Sequence, residues 1–132
     1  MDSVHLTFLL GEEDTTVRSR LRLAPNPAAG ADGDRPGLLL NGGADLKLVS
    51  VAVDSTPLAD AQYTVTPKGM ALAPGALPAG PCELEIVTSV RPQDNSSLEG
   101  LYKSSGNFCT QCEAEGFRSI TFFPDRPDVM AT

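Results

Sequence analysis

The sequence predicts an all-β protein, an antiparallel β-sandwich. Three observations predict it. Residues 16–23 and 82–90 alternate between inward and outward side chains, the period of a half-buried strand. Short segments of strand composition recur between turns rich in Gly and Pro. No window keeps a helical period beyond two turns, so packed sheets are left as the architecture.

Val4 to Leu10 reads as the first strand and Gly11 to Asp14 as the turn to its partner. In that partner Val17, Ser19, Leu21 and Leu23 point one way, and Arg18, Arg20 and Arg22 the other. The arginine row reads as a solvated face rather than an anion site, because the chain is otherwise acidic. Residues 24–37 are rich in Pro, Ala, Gly and Asp without a period, which predicts a loop. Leu38–Leu40 and Leu46–Val53 are the next apolar segments, with a turn signal at Asn41-Gly42-Gly43. The second sorts into Leu46, Leu48, Ser50 and Ala52 against Lys47, Val49, Val51 and Val53.

Gln62–Thr66 and Gly69–Leu72 read as short strands broken at Pro67-Lys68. Pro74 to Pro81 is a connector. Cys82, Leu84, Ile86, Thr88 and Val90 then alternate with Glu83, Glu85, Val87 and Ser89, and Arg91 to Asn95 ends that strand. Phe117 to Phe123 is a β-branched and aromatic run read as a strand, stopped by Pro124 and Pro127. Together these elements predict one domain over residues 1–132.

The chain has 132 residues, 41% apolar and 20% charged, with a net charge of −7. An acidic chain does not attract nucleic acid or anionic membrane non-specifically. No run approaches a membrane span. The N-terminal residues lack the basic region of a secretory signal, so the Asn95-Ser96-Ser97 sequon reads as unused. The three cysteines, Cys82, Cys109 and Cys112, are an odd number. That argues against a disulfide framework and for a reducing compartment, cytoplasmic or organellar, rather than secretion.

Cys109 and Cys112 have the spacing of a zinc knuckle or a redox pair. The further ligands are wanting: Cys82 and His5 are distant in sequence and unpaired. No βαβ pattern supports a redox motif. Two reduced, partly buried thiols are the simpler reading. His5 sits on an alternating strand without a nucleophile partner, and no His-Glu-x-x-His, phosphate loop or dinucleotide fingerprint occurs. Gln111, Glu113 and Glu115 remain. In a strand they share one face, and in a tight loop they converge. By composition they read as a solvated acidic edge; the alternative is capture of an ammonium group.

Three blocks resemble the zinc aminopeptidase N family, of the bacterial alanyl-aminopeptidase type. They are Leu40-Asn-Gly-Gly-Ala-Asp-Leu-Lys-Leu-Val-Ser-Val51, Asn95-Ser-Ser-Leu-Glu-Gly-Leu-Tyr102, and Cys109-Thr-Gln-Cys-Glu-Ala-Glu-Gly-Phe-Arg118 through Asp125-Arg-Pro-Asp-Val129. The third is the most specific. The resemblance implies a saddle-like N-terminal β-domain, truncated, with further strands beyond Thr132 and a thermolysin-like catalytic domain elsewhere. It implies that Glu113 accepts the α-ammonium of a peptide substrate, that Gln111 helps to orient the same end, and that the Glu113–Ala114 peptide is cis. The substrate-binding residues expected are thus Gln111, Glu113 and Ala114. Zinc is expected in the full-length parent and not in this chain, which is expected to be inactive alone. The expected partners are the substrate's amino terminus and the missing catalytic domain, with neither nucleic acid nor membrane. The alternative is a stand-alone, non-catalytic interaction module of the same fold.

Overall fold

A computed structural model describes residues 1–26 and 37–132. Most of the predicted 24–37 loop therefore lies outside the described residues. The described chain is all-β and antiparallel, and it holds no α-helix. Its strands are β1 (Ser3–Leu9), β2 (Thr15–Leu23), β3 (Leu39–Asn41), β4 (Lys47–Val53), β5 (Thr56–Pro57), β6 (Tyr63–Thr66), β7 (Gly69–Leu72), β8 (Cys82–Val90), β9 (Gly100–Ser104) and β10 (Asn107–Gln111). They form a five-stranded sheet ordered β1-β2-β8-β4-β5, a three-stranded sheet ordered β3-β7-β6, and the β9–β10 hairpin. No helix among the described residues is long and apolar enough to cross a membrane.

Strand β8 is the axis of the large sheet, paired along its whole length with β2 and along most of it with β4. Cys82, Leu84, Ile86, Thr88 and Val90 are buried, as the alternation predicts. They pack with Val17 and Leu21 of β2, Val51 and Val53 of β4, and Leu40, Met70 and Leu72 of the small sheet. Burial of this shared apolar face holds the two sheets together. On the outer face, Arg22 lies opposite Glu83, and Arg20 opposite Glu85. Arg18 Nε lies 3.8 Å from Glu85 Oε2. The basic row is thus matched by acidic residues on the neighbouring strand, a cross-strand arrangement worth a few tenths of a kcal/mol per pair, about the value for exposed pairs.

Several elements differ from the sequence-based expectation, among them the short strand β5, which was not expected. Strand β4 changes parity at a bulge between Leu48 and Ser50. Leu46, Val51 and Val53 are therefore all buried, while Val49 is 62% exposed. The extra residue explains why both interleaved sets looked apolar. The turn signal at Asn41-Gly42-Gly43 lies where the chain passes from the small sheet to the large one.

The β9–β10 hairpin was not expected. It turns at Ser105 and Gly106, both at positive φ (51° and 84°), which suits the right-handed twist of the flanking strands. Finally, Phe117–Phe123 is not a strand. Residues 117–119 form a 3-10 turn, with Ser119 N–H bonded to the Gly116 carbonyl and Ile120 N–H to that of Phe117. Ile120, Thr121 and Phe122 are buried in succession, which the alternating faces of a half-buried strand do not permit. One bridge, Asn41 to Phe123, joins the segment to a sheet.

At the outer edge of β1, the Thr132 carbonyl accepts the Val4 N–H at 2.9 Å, and the Thr132 hydroxyl donates to the Asp2 carbonyl at 3.0 Å. The two ends of the chain are therefore joined along one edge of the large sheet.

The central position of β8 makes a direct prediction. Ile86 is fully buried, and Ile86→Ala should lower the stability of the fold by about 3 kcal/mol. Urea denaturation should show a lower midpoint at an unchanged slope.

Candidate functional site

The candidate site lies at the open end of the β9–β10 hairpin. Gln111, the last residue of β10, is opposite Gly100, the first of β9. Beyond that pair the two arms of the chain diverge. Leu98 and Glu99 lie on one arm, and Glu113, Ala114 and Glu115 on the other. Together with Gln111 they line a surface hollow of about 320 Å³. The structure thus brings the three expected residues, Gln111, Glu113 and Ala114, to one place. All three are exposed.

Each arm is held by local hydrogen bonds. The Asn95 amide nitrogen donates to the carbonyls of Glu99 (2.7 Å) and Leu101 (2.9 Å). Its oxygen accepts from the Ser97 N–H (3.2 Å) and hydroxyl (2.8 Å). The sequon asparagine is therefore a staple of this loop, its amide committed to backbone carbonyls. On the other arm the Gly116 N–H donates to the Glu113 carbonyl at 2.8 Å, closing a tight turn. Glu115 stands in that turn at a left-handed φ of 64°. The Glu113–Ala114 peptide is trans, since no cis peptide bond occurs among the described residues. The left-handed Glu115 makes the reversal, so the expected cis bond is not what bends the chain here. A trans peptide is the favoured form for a residue other than proline.

A clasp behind the turn anchors it. The Asp125 carboxylate accepts the Arg118 backbone N–H and its Nε–H, each at 3.0 Å. The Arg118 guanidinium also donates to the Asp125 carbonyl at 3.0 Å, and the Asp125 N–H donates to the Asn41 side chain at 3.1 Å. Asp125 is 8% exposed. Gly100 sits against this segment: a Cβ there would lie 2.7 Å from the Ser119 Cβ, and its φ is +73°. Only glycine accepts both constraints without movement.

The electrostatics of the hollow are one-sided. Glu99, Glu113 and Glu115 bring three carboxylates to its lining. Glu115 lies 3.7 Å from the Arg118 guanidinium, an exposed ion pair that offsets part of this charge. Like charges gathered in this way favour a cation. Sequence reasoning found Glu113 and Glu115 but missed Leu98 and Glu99 as part of the site. The signal was present: reading Ser105-Gly106 as a hairpin turn and counting outward places Gly100 opposite Gln111.

The thiols are unpaired with one another. All three cysteines are free, with Cys82 buried, Cys109 half-buried and Cys112 exposed. Burial pushes the Cys82 thiol up, and the Asp54 carboxylate adds to this. Cys112 is exposed as a residue, yet desolvation of its sulfur also raises its pKa. The Asp125 carboxylate adds to the rise, and a hydrogen bond from the Gly100 backbone offsets part of it. Both groups favour the neutral thiol, the form that neither attacks nor ligates. Among the described residues no group of three or more His, Cys, Asp or Glu is placed to hold a metal ion.

Two expected outcomes follow from the geometry. Asp125→Ala removes two side-chain hydrogen bonds and strands a half-buried guanidinium. It should cost about 2–3 kcal/mol in chemical denaturation. In a Cys82→Ala, Cys109→Ala background, alkylation of Cys112 should reach its half-maximal rate above the pH of a free thiol, because the neutral form is favoured in the fold. A midpoint below that of a free thiol would refute this assignment.

No family model matches the chain. Curated relatives do. Aminopeptidase N of Caulobacter vibrioides is 43% identical over 133 residues, covering 99% of this chain and 14% of that protein. Aminopeptidase N of Escherichia coli is 42% identical over 129 residues, covering 97% of this chain and 13% of that protein. Among solved structures, Legionella pneumophila aminopeptidase A in complex with aspartic acid superposes with a TM-score of 0.82 at 26% identity, over 98% of this chain and 15% of that one. An M1 zinc metallopeptidase variant from Deinococcus radiodurans, bound to a Tyr-Ser-Ala substrate, gives 0.69 at 16% identity, over 98% of this chain and 30% of that one. The latter likeness concerns the fold alone. The chain spans about one seventh of the length of the curated relatives it matches. By identity along nearly all of its length and by its fold, the chain belongs to the aminopeptidase N family and corresponds to the N-terminal β-domain of that family.

Proposed function

We propose that this chain is the part of a zinc-dependent aminopeptidase that anchors the free amino terminus of a peptide substrate. The observation that carries the reading is the convergence of Gln111, Glu113 and Ala114 on one acidic hollow. Glu113 accepts the α-ammonium through a charge-assisted hydrogen bond. Gln111 orients the same end through its amide. Holding the amino terminus in place lets only the first peptide bond reach the reacting centre, and the gain is one of positioning. The zinc and the hydrolytic groups belong to residues outside this chain, in a catalytic domain of the same polypeptide. The names of the relatives support this division. The three free thiols support a reducing interior as the working compartment.

The test is made in the full-length enzyme. Glu113→Ala and Glu113→Gln should each cut kcat/KM for amino-acid amides by more than about tenfold, with most of the loss in KM. An unchanged KM would sink the anchoring role.

A further inference from the structure

Two strained backbone positions line the same hollow. Among the described residues, five that are not glycine have left-handed φ: Asp54, Ser55, Leu98, Ser105 and Glu115. Asp54 and Ser55 form the β4–β5 turn, and Ser105 lies in the β9–β10 turn. Tight hairpin turns require such angles. Leu98 and Glu115 belong to no hairpin turn, and both line the hollow.

Leucine is the least expected of the five. Its φ is 59°, it is bulky, and its side chain is 54% exposed. A left-handed leucine costs roughly 1–2 kcal/mol, and its exposure returns little burial in this chain. Such a conformation persists where its surroundings over-determine it. Here the Asn95 side chain does so, with hydrogen bonds to Ser97, Glu99 and Leu101 on both sides of Leu98. The result is an apolar side chain fixed at the edge of an otherwise acidic depression.

Resting on the anchoring role given to Glu113, we propose that Leu98 is a specificity-determining residue: it forms the apolar wall against which the side chain of the peptide's first residue packs. Two surfaces of one hollow then read two parts of one amino acid. The carboxylate of Glu113 takes the ammonium, and Leu98, with the methyl group of Ala114, takes the side chain. A volume of about 320 Å³ is at the small end of ligand sites, which run from roughly 300 to 1,000 Å³. It suits one residue rather than a length of peptide. The substrates favoured are those whose first side chain is apolar and larger than a methyl group.

The experiment compares leucyl and alanyl amides in the full-length enzyme. Leu98→Gly removes the side chain together with the left-handed penalty, so the fold is not threatened. Leu98→Asn keeps nearly the same size, tolerates the left-handed angle and makes the wall polar. Both variants should lower the leucyl-to-alanyl ratio of kcat/KM by about tenfold, within the range that an apolar pocket contact supplies. An unchanged ratio in both, with Glu113→Gln still raising KM, would overturn the role of Leu98 and leave the anchor standing. An equal fall for both substrates would also overturn it, and would place Leu98 against the neighbouring domain. If Glu113→Gln leaves KM unaltered, the anchor and the wall fall together.

Discussion

The Arg118–Asp125 clasp is the interaction on which the candidate site depends. It joins parts of the chain that no strand pairing connects. Asp125 binds the Arg118 backbone and guanidinium, and its own N–H reaches Asn41 at the end of β3. Through Asn41 and Phe123 the same segment is bridged to the small sheet. The clasp thus sets where residues 117–123 lie, and Gly100 can enter β9 only along the path that segment leaves free. Charge-assisted hydrogen bonds suit this task because they are directional as well as strong. An apolar contact in their place would bury similar area without fixing the turn that carries Glu113.

Rigidity and charge are combined at the hollow in an economical way. Hydrogen bonds from Asn95 define one arm, and the turn closed by Gly116 defines the other. Neither arm relies on a strand ladder, so each can depart from regular geometry without breaking a sheet. The departures are the left-handed Leu98 and Glu115. Their cost is borne by a core that extends across both sheets through Leu21, Leu40, Leu84, Ile86 and Phe122. A recognition site at the divergent end of a hairpin is therefore compatible with a small domain.

The same division bears on the distribution of charge. On the outer face of the large sheet Arg20 and Arg22 are matched across strands by Glu85 and Glu83. The buried thiol of Cys82 is shielded and neutral in preference. Carboxylates in excess of cations are gathered where two loops converge, and a positively charged ligand is the natural complement. The curated relatives are about seven times longer than this chain, which matches one seventh of their length.

The sequence by itself determined the all-β class, the first hairpin, the central strand and the inward row from Cys82 to Val90. Those features rest on local periodicity, because burial on one face of a sheet imposes a two-residue repeat. It also carried the acidic residues of the site and the family likeness, through the unusual composition of residues 109–118. Tertiary structure decided the rest. The bulge in β4 inverted a face that alternation alone could not orient, since both sets of residues were apolar. The run from Phe117 to Phe123 became a 3-10 turn followed by three buried residues because the Asp125 clasp outweighed its β propensity. Leu98 and Glu99 joined the site through the pairing of Gly100 with Gln111, a register set by the Ser105-Gly106 turn and not by the alternation of either strand. Proximity across a hairpin depends on which residue faces which, and that is settled by the turn and the packing together.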